Sequence, residues 1–295
     1  MEFDSQLVVE LVEAMEQNYS LRPRHPEREA VYADYSARSE RFRQATPGWR
    51  SLSYAAPERC AIDWFPADTA KGVPRDGTPL FVFIHGGFWR ALDRRLFSFI
   101  AEGYVKAGIS VAMLGYELAP AVKLGRIIEQ VSDAMRWLNR RAGELGFDPR
   151  RVTVSGHSAG GHLTAMLSAT TPADLEGHPF VASVPVSGVF SLAPLLLTSV
   201  NDDVRMTPRE ALRFSPGGMS CFHAREFIVA VGACETDGFI GQSRDFTAWA
   251  ERMGTPSRLE IVPGRTHFDV LEDLARPELP LFQQVFEAVS RVPAG

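Results

Sequence analysis

From about residue 51 the chain alternates short apolar runs with stretches of helical periodicity. The runs are 80–84 (LFVFI), 109–114 (ISVAML), 152–154 (VTV), 181–186 (VASVPV), 227–231 (FIVAV) and 259–262 (LEIV). Continuous rather than alternating apolar runs predict strands buried on both faces, as in a parallel sheet. Between them, Ile127, Val131, Ala134, Met135 and Leu138 recur at helical spacing, and 281–292 reads as a closing C-terminal helix. Strand and helix in alternation predict an α/β architecture with right-handed crossovers, led by an antiparallel edge strand near 62–65. Residues 1–50 lack apolar runs of this kind and read as a polar, helical N-terminal extension punctuated by Pro23, Pro26 and Pro47. The rhythm also breaks between Gly188 and Glu226, where no clean strand is legible. Because a segment leaving a strand's carboxyl end lands above the sheet, 188–226 is expected to form a small cap over the site. The organisation predicted is therefore an extension at 1–50 and a main domain at 51–295 carrying that insertion.

Composition changes this picture little. The 295 residues are 45% apolar and 23% charged, as in an ordinary globular protein with a sizeable core. Lys plus Arg total 31 against 36 Asp plus Glu, a net charge of -5 with no run of one sign. No nucleic-acid or membrane partner is expected from such a surface. The acidic amphipathic start lacks the basic and apolar regions of a signal peptide, and no apolar stretch approaches the ~18 residues that span a bilayer. Three separated cysteines, Cys60, Cys221 and Cys234, suggest neither a disulfide framework nor a zinc site. The expectation is a soluble, cytoplasmic protein without metal or cofactor. Its oligomeric state is left open, a homodimer among the options.

The chemistry is concentrated in four places. The run 152–154 leads into Gly156-His157-Ser158-Ala159-Gly160, and helical sequence follows. Strand, GxSxG and helix in that order form a nucleophile elbow, the hallmark of the α/β-hydrolase fold, with a mostly parallel central sheet flanked by helices. The motif alone is weak; its flanking strand and helix give it meaning. His157 and His162 lie five residues apart with no carboxylate partner, which is poor spacing for a metal. Upstream, 80–84 ends in His85-Gly86-Gly87-Phe88-Trp89, where the loop after the third strand should donate amides to an oxyanion. The expected donors are the N–H groups of Gly87, Phe88 and Ala159, with His85 as a structural residue beneath the loop. Of the seven histidines, His267 alone follows the last predicted strand, the place of the general base. The acid should follow 227–231, where Glu235 and Asp237 compete. Glu235 is favoured because it stands three residues after Gly232. Asp269 is too close in sequence to His267 to serve.

With these residues in place, the chain resembles the serine-type arylformamidases (kynurenine formamidases), relatives of the hormone-sensitive-lipase-like esterases. The segment 85–89 (HGGFW) matches the family's HGGxW, where the esterases carry HGGG. Further matches are 116–120 (YELAP), 187–192 (SGVFSL) with Pro194 and Leu195, Ser215-Pro216, and the spaced set Glu235, Phe239, Gln242, Ser243 and Phe246. The likeness covers roughly residues 51–290 and places Glu235 where the family has aspartate. It implies a serine hydrolase with Ser158, His267 and Glu235 as nucleophile, base and acid. The implied substrate is a small-molecule amide or ester that gives up a small acyl group, formyl in the family. Trp89, with Phe88, is expected to line the substrate pocket. A short-chain carboxylesterase is the alternative, and a catalytically inactive binding module on the same fold is the alternative of another class.

Overall fold

The computed structural model describes residues 5–68, 70, 72 and 76–291. Residues 1–4 of the predicted N-terminal helix and Val292 of the predicted closing helix lie outside them. Eight strands form one sheet: β1 (Arg50–Ser53), β2 (Ala61–Phe65), β3 (Thr78–Ile84), β4 (Ser110–Leu114), β5 (Phe147–His157), β6 (Ala182–Val186), β7 (Phe227–Gly232) and β8 (Ser257–Val262). Their order is β1-β2-β4-β3-β5-β6-β7-β8. The β1–β2 and β2–β4 pairs are antiparallel, and every later pair is parallel.

The apolar runs become buried strands for a simple reason. In β3 every residue is buried, yet Leu80, Val82 and Ile84 enter one core layer while Phe81 and Phe83 enter another. The same split sends Ala112 and Leu114 of β4 to the first layer and Val111 and Met113 to the second. A strand sandwiched between helices must be apolar at both parities. On the first face lies the helix Leu124–Arg140, which buries Ile127, Val131, Ala134, Met135 and Leu138. On the second lie the helices Arg28–Ala45, through Tyr35 and Phe42, and Pro280–Ser290, through Leu281, Phe282, Val285, Ala288 and Val289. Each fully buried aliphatic or aromatic side chain contributes about 1.5–3 kcal/mol of transfer free energy, so both layers are needed.

Strand β1 has no counterpart among the apolar runs. Its four residues are half or fully exposed, and its position comes from an antiparallel register that pairs Arg50 with Trp64 and Ser53 with Ala61. Residues 1–50 were expected to be helical, and their described part contains the helices Ser5–Tyr19 and Arg28–Ala45 joined by a 3-10 turn, Arg22–Arg24. Residues 188–226 form short turns of helix: Ala193–Leu197, Val200–Val204, Pro208–Arg213 and Pro216–Gly218. Among the described residues, no helix is long and apolar enough to cross a membrane.

The carboxyl ends of β3 and β5 are packed backbone to backbone. A Cβ on Gly160 would meet the carbonyl oxygen of Ile84 at 2.0 Å, and one on Gly156 would meet that of Gly160 at 2.4 Å. Gly160→Ala is therefore expected to cost at least about 3 kcal/mol, since backbone must move to admit the methyl. Gly143→Ala is the control: a Cβ there meets nothing within 4 Å, and alanine should be neutral or stabilising by up to about 1 kcal/mol in that helical turn. Urea unfolding of the two variants checks the contrast; a Gly160→Ala protein as stable as the parent would contradict the packing argument.

Candidate active site

Strand β5 turns into the helix Ala159–Ala169 at Ser158, whose φ of 56° and ψ of -118° lie where L residues are strained. The turn survives because its neighbours are glycines. A Cβ on Gly161 would meet the Cα of Gly188 at 2.9 Å, and one on Gly86 would meet the His157 carbonyl oxygen at 2.7 Å. The Ser158 N–H donates to the Val186 carbonyl at the end of β6 (2.8 Å), which pins the elbow to the sheet. The helix beginning at Ala159 directs its positive end at the serine.

Three loops converge on that point. After β3, Gly87, Phe88 and Trp89 have φ of 109°, 48° and 55°, a left-handed curl closed by the Arg90 N–H donating to the Gly87 carbonyl. Gly87 is obligatory there, because a Cβ would sit 2.2 Å from the Ala91 carbonyl oxygen. The amides of Gly87, Phe88 and Ala159 donate to no acceptor among the described residues. His85 lies beneath this curl, stacked on Tyr116 at 4.3 Å, while the Tyr116 hydroxyl donates to the His85 carbonyl.

After β7 and β8 the remaining two loops are joined to each other. The Cys234 N–H donates to the Arg265 carbonyl and the Ala233 N–H to that of Val262. Gly232 permits the approach, since a Cβ there would lie 2.3 Å from the Arg265 carbonyl oxygen. His267 Nδ1 donates to Glu235 Oε2 at 2.6 Å, which fixes the tautomer with Nε2 unprotonated in neutral imidazole. The other carboxylate oxygen accepts from the Gly232 N–H (2.8 Å) and from the Ser187 hydroxyl. The Glu235 side chain is fully buried and that of His267 nearly so. The longer reach of glutamate is thus taken up by the turn that follows its own strand. Phe239 covers the imidazole at 4.4 Å between ring centres. Asp237 is exposed in the first turn of the helix Asp237–Arg252, away from this pair. Asp269 accepts from the N–H and hydroxyl of Thr266 and shapes the histidine loop.

Ser158 and His267 line one small cavity of about 30 Å³ together with Gly87, Phe88, Leu92, His157 and Phe268. Its outer wall is Leu21, Arg22 and Tyr32 from the N-terminal extension. The expected cap, 188–226, supplies none of the lining residues. It buries Leu192, Leu195, Val200 and Val204 in the core and carries the extension instead: the Ser199 N–H and hydroxyl both donate to Glu16. A separate cleft of about 650 Å³ lies between Phe42, Pro66, Glu102 and Lys106 and shares no residue with the Ser158 cavity.

Trp89, expected in the substrate pocket, is not in it. The ring is fully buried, packed edge-on against His162 at 5.0 Å, and its Nε1 has no hydrogen-bond partner among the described residues. The left-handed φ at Trp89 turns the side chain into the core, so Phe88 alone of the pair reaches the cavity. Ser187, Phe239, His157 and the three N-terminal wall residues carry no motif that marks them as parts of the site. Ser187 and Phe239 lay within the segments resembling the arylformamidases, and only the fold shows what they touch.

The flanking histidines are structural. His157 Nε2 donates to the His267 carbonyl (2.8 Å) and His162 Nε2 to that of Phe214 (2.7 Å), since a carbonyl only accepts. Burial holds His85 and His162 at about pKa 4 and His157 well below its ordinary value.

This architecture has relatives among known proteins. The BD-FAE family model matches residues 70–186. Kynurenine formamidase of Salmo salar is 28% identical over 265 residues, 86% of this chain and 86% of its own. A Mycobacterium tuberculosis carboxylesterase is 36% identical over 110 residues, 37% of this chain and 34% of its own. The crystal structure of a Silicibacter sp. TM1040 protein, provisionally assigned as a thioesterase, superposes with a TM-score of 0.80 at 30% identity, covering 94% of this chain and 99% of that one.

The buried histidines predict an acid-sensitive fold. Because their folded pKa lies below the unfolded value, the unfolded chain binds more protons as pH falls through 6.5. Their stability is whole above that pH and is lost on descending toward 4. Between pH 7 and 5, His85 and His162 should each cost roughly 2 kcal/mol. Urea unfolding at the two pH values measures the loss, and His162→Gln should make it shallower; a dependence that variant leaves unchanged would contradict the assignment.

Proposed function

This chain belongs to the α/β-hydrolase superfamily, in the kynurenine-formamidase-like group related to the hormone-sensitive-lipase-like esterases, and from that premise we propose that it cleaves a small acyl group from an aryl amide or ester through an acyl-enzyme on Ser158. The supporting observation is the buried Glu235–His267 pair, 2.6 Å apart, whose histidine lines the same cavity as the strained serine. In this reading His267 Nε2 takes the Ser158 proton as Oγ bonds to the carbonyl carbon. The oxyanion is held by the unengaged amides of Gly87, Phe88 and Ala159, each worth about 10²–10³ in rate. Collapse breaks the bond to nitrogen or oxygen, and His267 returns the proton to the departing amine or alcohol. Water, deprotonated by His267, then attacks the acyl-enzyme; the acid leaves and Ser158 regains its proton. Glu235 keeps Nδ1–H directed at itself throughout and stabilises the imidazolium.

Ester hydrolysis is a second reading, favoured by the 36% identity to the mycobacterial carboxylesterase over 110 residues. Comparing kcat/KM for N-formylkynurenine and p-nitrophenyl acetate separates the two, because they share every catalytic group. Formamide turnover above ester turnover is expected; ester turnover with none of the formamide would leave the esterase reading. Ser158→Ala should lower kcat by at least ~10⁴-fold with the fold intact, and Glu235→Ala by roughly 10³–10⁴-fold. Asp237→Ala should stay within about twofold, as befits an exposed side chain. Loss of activity in Asp237→Ala with Glu235→Ala fully active would reverse the assignment of the acid.

A further inference from the structure

The extension is tied to the catalytic loops. Asn18 accepts the Gly238 N–H with its side chain and the Thr236 hydroxyl with its carbonyl. The Tyr19 hydroxyl accepts from Gln242, and the Tyr19 ring lies 5.6 Å from that of Phe239, which covers His267. Tyr32 and His25 both rest on Phe268, at 5.9 and 5.3 Å. Residues 18–32 are therefore held at the rim of the Ser158 cavity from two sides.

This strap carries three arginines, and they differ. Arg24 donates to the Gln17 carbonyl, and Arg28 to the carbonyls of Arg22 and His25 and to Glu29. The Arg22 side chain makes no hydrogen bond or ion pair with any described residue. It is also the sole permanently charged side chain among those lining the cavity. His157 there is held neutral by burial. An unpaired guanidinium beside an apolar wall of Leu21, Phe88 and Phe268 is suited to bidentate capture of an oxyanion.

We propose that the N-terminal strap is a specificity element of the active site, and that Arg22 selects substrates bearing a carboxylate. This rests on the hydrolase reading above and adds to it the chemistry that a substrate must present outside the scissile bond. The strap admits the substrate by moving from Phe268, since the cavity is too small for an aryl leaving group as it stands.

Two measurements test this. In turnover, 3- and 4-acetoxybenzoate are compared with phenyl acetate, using the parent, Arg22→Gln and Arg22→Lys. The parent should prefer at least one carboxylated ester. Arg22→Gln should raise KM for that ester about tenfold while changing phenyl acetate less than about twofold, and lysine should restore part of the preference. Separately, calorimetric titration of Ser158→Ala with benzoate and benzamide should show tighter binding of benzoate, a difference that adding Arg22→Gln abolishes. Equal binding of the two probes, or a preference that survives Arg22→Gln, overturns the proposal. Failure of every ester and of N-formylkynurenine to turn over, with the Arg22-dependent binding difference intact, would instead sink the hydrolase reading and leave this one standing.

Discussion

The site depends on backbone approaching backbone where β3, β5 and β6 end. Ser158 can occupy its strained turn because Gly156, Gly160, Gly161 and Gly86 allow contacts that a methyl group would prevent. A Cβ at Gly160 would overlap the Ile84 carbonyl, so the elbow helix and the oxyanion-loop strand are locked together at the closest spacing the chain permits. The cost of the strained serine is met by the two core layers that fix β3 and β5 in register. Precision at the nucleophile is thus a packing property before it is a chemical one.

A similar device joins Glu235 to His267. Gly232 brings the loop after β7 against the Arg265 carbonyl, and that contact sets Glu235 beside His267. One carboxylate oxygen is left for the imidazole because the other is occupied by Ser187 and by the amide of Gly232. The extra methylene that glutamate has over aspartate is absorbed by a short loop. The fixed tautomer of His267 follows from this arrangement and would be lost if the carboxylate could rotate.

Enclosure comes from an element outside the sheet. The cavity is walled by Leu21, Arg22 and Tyr32, and the segment between β6 and β7 acts as the support on which that wall rests, through Ser199 and Glu16. An extension attached at both the acid-bearing helix and Phe268 can discriminate among substrates without altering the catalytic groups. In the reading proposed above, chemistry and selectivity are carried by different parts of the chain.

By itself the sequence determined the apolar stretches of the central strands from β3 to β7, because a strand buried on both faces is apolar at both parities, and it marked the partly exposed edge strand β8 and the Asp63-bearing β2 by shorter apolar runs. It also determined the order of the oxyanion loop, Ser158, Glu235 and His267, because each follows its strand and glycines mark the tight turns. The tertiary structure decided what depends on partners distant in the chain. Strand β1 is polar and exists through its register with β2. Trp89 lies in the core because the curl at 87–89 turns it there, although its sequence position beside Phe88 suggested the pocket. Spacing from Gly232 favours Glu235 over Asp237, and the fold adds the contact: Glu235 is buried on His267 while Asp237 is exposed at a helix start. Arg22 stands more than a hundred residues before Ser158 and shares no motif with it. Periodicity reports whether a residue is buried, whereas a site is defined by which distant residues meet, and only the folded chain brings them together.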